Sequence, residues 1–151
     1  VRRVLALFLA LGLLVAMAGD AFATVGQGGS CPYGGTDLTI TRFCMWEGEN
    51  SGGDIVLFAA NQNMANLNGY LVTPPKSCAG APRLTVDWND CIDSAKVWIR
   101  ADQRVCWYTS ASFGGFRTWV IGPKTNFRIN FTAGMHDAIT SWWIKANTTS
   151  C

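Results

Sequence analysis

Behind an apolar opening segment, the chain reads as short apolar or alternating runs broken every few positions by Gly, Asn, Asp, Ser or Pro. The runs are Thr41 to Trp46, Asp54 to Ala59, Gly69 to Val72, Lys96 to Arg100, Arg104 to Thr109, Phe116 to Ile121, Asn126 to Phe131 and Thr140 to Lys145. Val, Ile, Phe, Trp and Thr dominate them. Such residues suit a pleated, half-buried surface, so each run predicts a β-strand. Eight strands in two sets of four is the count of two Greek keys. Trp142-Trp143 places one ring toward the core and the other outward, because side chains alternate along a strand. Ile55 to Leu67 is the stretch that admits a helical turn, although its Asn61 to Asn66 portion reads as a surface loop. Thr24 to Ser30 is Gly-rich and reads as a flexible leader to the first strand.

Part of this pattern occurs twice. Cys44, Trp46, Gly52 and Gly53 return as Cys106, Tyr108, Gly114 and Gly115, each 62 positions later. Asp90-Cys91-Ile92-Asp93-Ser94 is echoed by Asp137-Ala138-Ile139-Thr140-Ser141, but the offset has fallen to 47, so the first unit carries 15 residues that the second lacks. Duplication of one supersecondary unit implies two copies that bury a shared core. The Gly pairs predict positive φ at a folded hairpin in each copy, where a Cβ would be costly.

Arg2 and Arg3, the apolar run Val4 to Ala18 and the Ala21-Phe22-Ala23 cleavage signature read together as a signal peptide. Export to an oxidising compartment turns Cys31, Cys44, Cys78, Cys91, Cys106 and Cys151 into disulfide candidates rather than metal ligands. Cys31 with Cys44 is the natural local pair, clipping the mature N-terminus to the first strand; the remaining pairings stay open. The formal charge is +2, and removing Arg2, Arg3 and Asp20 leaves +1. So even a balance gives no basic stripe for nucleic acid. His136 is the sole histidine, no short Cys-x-x-Cys spacing is present, and no paired-carboxylate hydrolase pattern appears.

Tyr108, Phe113, Gly115 and the Asp137-to-Ser141 corner resemble the Greek-key motif of βγ-crystallins, in which an aromatic packs over a folded hairpin and a later Ser ties it down. In the first copy Trp46 and Gly53 fit, but Ser51 stands where the second aromatic is expected. Cys31-Pro32-Tyr33-Gly34, Cys44-Met45-Trp46, Gly52-Gly53 and Asp90 to Ser94 follow the order of a secreted bacterial branch, the peptidase inhibitors typified by the actinobacterial metalloproteinase inhibitor. The resemblance spans Cys31 to Ile144. It implies peptidase inhibition, and it does not place a reactive bond on this chain.

An inhibitor of that kind needs a rigid, substrate-like segment. The proline-bounded stretch from Pro74 to Pro82 supplies one, with Pro75, Lys76, Ser77 and Cys78 as the candidate inhibitor loop. The plainer alternative is a tied-down surface insertion, and the rival segment is the connector Arg100 to Arg104. The corners admit a second use. Calcium-binding members of the superfamily carry oxygen ligands there, so Asn89, Asp90, Asp93, Asp137 and Thr140 form a candidate calcium set. Asn89-to-Ser94 departs from the pattern at Asp93, and His136 departs as a poor ligand for a hard ion. The simpler role of these residues is to fix turns through local hydrogen bonds. His136 beside Asp137 and Ser141 evokes a triad, yet its place inside a repeat corner reads as structural.

These readings predict a secreted all-β protein, a βγ-crystallin-like β-sandwich of two Greek-key motifs stapled by disulfides. Residues 1–23 form the signal peptide, 24–40 an N-terminal segment, 41–100 the first motif with its insertion, and 101–151 the second. The expected function is inhibition of an extracellular peptidase, metallopeptidases foremost, by a monomer without cofactor, enzymatic activity, nucleic-acid partner or membrane association after cleavage. A calcium-binding or structural module and a small antimicrobial Greek-key toxin are the alternatives.

Overall fold

The computed structural model describes residues 24–27, 30–68, 71–77, 84–87, 91–132 and 134–151. Ten strands run through them: β1 (Thr24–Gln27), β2 (Arg42–Gly48), β3 (Gly52–Ala60), β4 (Leu71–Ser77), β5 (Leu84–Asp87), β6 (Ser94–Ile99), β7 (Gln103–Ser110), β8 (Gly114–Ile121), β9 (Lys124–Asn130) and β10 (Ser141–Ala146). Short three-residue turns at Glu49–Ser51 and Ala111–Phe113 join β2 to β3 and β7 to β8. Every run read as a strand overlaps one here, and β1 and β5 are additional.

Two expectations are corrected. The leader from Thr24 supplies β1, which pairs antiparallel with β3 from Thr24↔Ala60 to Gln27↔Leu57. It covers a row of β3 N–H and C=O groups that would otherwise be an open edge. No helical turn forms between Ile55 and Leu67. Strand β3 continues to Ala60, and the loop beyond it is pinned by the Met64↔Trp142 bridge and by Leu67 N–H donating to Thr140 O at 2.8 Å.

The strands form a five-stranded sheet in the order β1-β3-β2-β6-β9, a three-stranded sheet β10-β7-β8, and a separate pair β4-β5. The repeats do not make one sheet each. Strand β9, from the second repeat, crosses to pair with β6 of the first, from Ser94↔Asn130 to Ile99↔Lys124. In return, Met64 of the first repeat bridges to Trp142 on β10.

The core lies between the two larger sheets. Alternate residues of β2 and β6 (Phe43 and Met45; Ala95, Val97 and Ile99) face Val105 and Trp107 of β7 and Trp142 of β10, all fully buried. Phe43 meets Trp107 at 5.6 Å and Trp142 at 5.4 Å between ring centroids, edge to face, and Trp107 meets Phe131 at 5.4 Å. Each such side chain contributes roughly 1.5–3 kcal/mol by leaving water. Trp143, on the outward face of β10, is half-buried, as the alternation requires.

The outer faces of β2 and β7 are covered by the segments that flank the two repeats. The Cys31–Cys44 disulfide lays the N-terminal segment over β2, where Tyr33 and Phe58 pack with Cys44 and Trp46. Trp98 Nε1 donates to Gly35 O at 3.0 Å and Arg42 Nη2 to Asp37 O at 2.9 Å, fixing the strap. The Cys106–Cys151 disulfide does the same for the C-terminus over β7. Cys44 and Cys106 are the repeat-equivalent positions, so each copy uses its strand cysteine to clip down a flanking segment. Cys91 is also disulfide-bonded.

Candidate functional site

The two folded hairpins are built alike. Asn50, Ser51 and Gly53 have φ of 58, 62 and 84°, and Ser112, Phe113 and Gly115, each 62 positions on, have 56, 63 and 77°. Sequence reasoning assigned positive φ to both glycines of each pair. Only the second has it: Gly52 and Gly114 have φ of −86 and −103°. Left-handed backbone costs about 1 kcal/mol for a residue with a Cβ, so something must hold the non-glycine positions there.

The corner serines hold them. Ser94 Oγ donates to Gly48 O and accepts from Ser51 N–H at 3.0 Å. Ser141 Oγ donates to Ser110 O at 2.7 Å and accepts from Phe113 N–H at 3.3 Å. Beside them the Asp93 and Thr140 backbone N–H groups donate to Trp46 O and Tyr108 O, each at 2.9 Å. In the second copy the Phe113 ring packs on Tyr108 at 5.9 Å and Trp143 at 4.6 Å. The first copy has Ser51 there, and a polar tie takes the place of the ring: Asn50 N–H donates to Asn130 Oδ1 of β9 at 2.8 Å.

The corners meet each other at His136. His136 Nε2 lies 3.2 Å from Asp93 Oδ2, and its Nδ1 lies 3.2 Å from Asp137 Oδ2. Asp137 N–H donates to Asp93 Oδ1 at 3.0 Å. Burial pushes the Asp93 carboxyl up to about 6, opposed by that hydrogen bond, with the Asp137 charge adding to the rise and His136 reducing it. One donor atom from each of Asp93, His136 and Asp137 falls within 4.8 Å of the others. Asp137 Oδ1 is buried without a hydrogen-bond partner.

As a calcium site this set is short of oxygens, since two carboxylates and an imidazole do not reach the six to eight that the ion takes. The Thr140 hydroxyl donates to Thr109 O at 3.2 Å and keeps its lone pairs, adding one oxygen at most. Asn89 and Asp90 lie outside the described residues. Nor does a triad assemble: both ring nitrogens of His136 face carboxylates, and Ser141 Oγ is bound within its own hairpin turn.

The inhibitor-loop candidates lie on β4. Pro75, Lys76 and Ser77 are extended, paired through Lys76↔Thr85 and Ser77↔Leu84. Pairing is interrupted between Leu71 and Lys76, across Pro74 and Pro75, which have no N–H to give to a ladder. Cys78 lies outside the described residues. The rival connector has another shape. Arg100 to Arg104 makes a tight turn between the sheets, closed by Gln103 N–H to Arg100 O at 3.2 Å, and Asn147 Nδ2 donates to Ala101 O at 2.7 Å. Arg100 pairs with Asp102 at 2.9 Å.

One surface escaped the sequence reading. The exposed large apolar side chains among the described residues, Phe116, Trp119, Ile121 and Phe127, all fall on β8 and β9. The signal was there: β8 is apolar on both faces, which a covered sheet face alone does not require. Trp107, on the core face of β7, is fully buried.

Two repeat units that exchange contacts across two sheets, each closed by a serine-tied hairpin, define a protein of the βγ-crystallin fold. The chain is similar to a solved structure described under "Evolution of the eye lens beta-gamma-crystallin domain fold", with a TM-score of 0.51 and 16% identity over 82% of this chain and 98% of that one. The sequence model of peptidase inhibitor family I36 matches residues 29–120, and the chain belongs to that family. No curated protein matches it.

Proposed function

We propose that the chain is a secreted, monomeric inhibitor of extracellular peptidases, metallopeptidases foremost, that offers the β4 segment Pro75-Lys76-Ser77 to its target. The observation that carries this reading is that the matched span 29–120 encloses a segment already extended and paired to β5. Peptidase clefts take peptides in extended form, and a segment held that way before binding loses little entropy on docking. Two prolines add to that rigidity. The same reading assigns no catalysis to the chain, with His136 and Ser141 serving the fold.

The test is titration of the oxidised mature protein against thermolysin, as a metallopeptidase, and subtilisin, as a serine peptidase. Inhibition of thermolysin at near-stoichiometric protein is expected, and Lys76→Glu, which leaves the backbone ladder intact, should weaken it at least about tenfold while leaving the melting temperature in place. No inhibition of either enzyme by a stoichiometric excess would sink the reading for those targets.

A further inference from the structure

We propose that the neighbouring edges of β8 and β9 form a second docking surface, an exosite that receives an acidic face of the target peptidase. It rests on the inhibitor reading and adds a partner-binding site separate from the β4–β5 pair.

Scattered exposed apolar residues need no explanation, but a cluster does. Phe116 is 76% exposed, Trp119 48%, Ile121 42% and Phe127 41%. Trp119, Ile121, Lys124 and Phe127 line one open depression of about 360 Å³. Trp119 also borders a second, of about 250 Å³, with Arg104 and Arg117. The Lys124 Nζ sits 4.8 Å over the Phe127 ring, so cation and aromatic are presented together. Aromatic rings flanked by arginine are the side chains that concentrate binding energy at interfaces.

The strands themselves are open. Strand β8 ends the three-stranded sheet and β9 ends the five-stranded one, so among the described residues each leaves a row of backbone donors and acceptors unpaired. A protein partner can use those groups, whereas lipid cannot satisfy them.

Charge selects the partner. From Gln103 to Met135 the chain carries Arg104, Arg117, Lys124 and Arg128 and no Asp or Glu. None of these four forms an ion pair with a described residue. A two-fold contact with a second copy would set these cations against their own images. An acidic partner gains from them instead, chiefly in association rate.

The full mature chain, Trp119→Ser with Phe127→Ser, and Arg117→Glu with Lys124→Glu would be assayed against thermolysin and subtilisin at low and high salt, with melting followed in parallel. Expected is inhibition by the wild type whose association slows with salt. The aromatic pair should raise the inhibition constant about tenfold or more, and the charge pair should slow association about tenfold and remove the salt dependence. The charge pair, on exposed and half-exposed positions, keeps the test decisive if the aromatic pair alters folding. Wild-type inhibition with both variants unchanged overturns the exosite and leaves the inhibitor reading standing. Wild type that inhibits neither enzyme removes the inhibitor reading and the exosite with it. Sedimentation showing a dimer that the aromatic pair dissolves, or binding to phosphatidylserine vesicles that the same pair abolishes, overturns the peptidase as occupant.

Discussion

His136 Nε2 lies 3.2 Å from Asp93 Oδ2, a contact that joins the corner of the second repeat to the corner of the first. Asp93 is 2% exposed and its carboxyl is raised from 3.8 to about 6 by burial. Between those values the folded protein holds a proton that the unfolded chain releases. The stabilisation from protonated Asp93 is therefore complete below about pH 4 and lost as pH rises through about 6. It is worth on the order of 1 to 3 kcal/mol, with the opposing pull of His136 already included. Asp93→Asn keeps an acceptor for the Asp137 N–H and should flatten melting temperature against pH between 4 and 7. A variant that keeps the wild-type slope would refute the assignment to Asp93.

Ser94 and Ser141 perform the same task 47 positions apart, each bridging a hairpin carbonyl and a left-handed N–H. Replacing either with Ala leaves both backbone groups without this partner and removes what holds positive φ at Ser51 or Phe113. A loss of about 1–3 kcal/mol is expected for each in chemical denaturation. Ser141→Ala should be the milder, because the Phe113 ring still packs on Tyr108 and Trp143. Equal, negligible losses would show that the turns hold without the hydroxyls.

The two terminal clips differ in the chain they close. Cys31–Cys44 spans 13 residues and Cys106–Cys151 spans 45. Restriction of the unfolded chain gives about 3 kcal/mol for the first and about 4 for the second. Paired Cys→Ser variants should lose stability in that order. The reverse order would mean that the strap over β2, rather than chain entropy, dominates.

Calcium should produce little. Of the candidate set, the described corner residues offer the Asp93 and Asp137 carboxylates and the Thr140 hydroxyl, short of the six to eight oxygens that calcium takes, so millimolar calcium is expected to shift melting by about a degree or less. Calorimetry with a clear one-site heat, abolished in Asp137→Asn, would establish a site after all.

Much of this was legible from residues alone. Alternating apolar runs marked the strands, because a half-buried strand has a period of two. The repeat at 62 positions marked equivalent turns, and the Asp-to-Ser corner announced their serine anchors. Less was legible where a strand's use depended on its neighbours. β1 looked like a flexible leader because its worth lies in β3's edge, and the left-handed Asn50, Ser51, Ser112 and Phe113 carry no local signature of strain.

What the sequence by itself determined is the duplicated unit, its strands, its paired hairpins and the cysteines that staple it, since each is a matter of periodicity or spacing along the chain. The tertiary structure alone decided which repeat lends β9 to which sheet, that His136 meets Asp93 across 43 positions, and that Phe116, Trp119, Ile121 and Phe127 stay in water. Those outcomes depend on which edges and corners come together when two sheets close on one core, and contacts between distant segments leave no period to read.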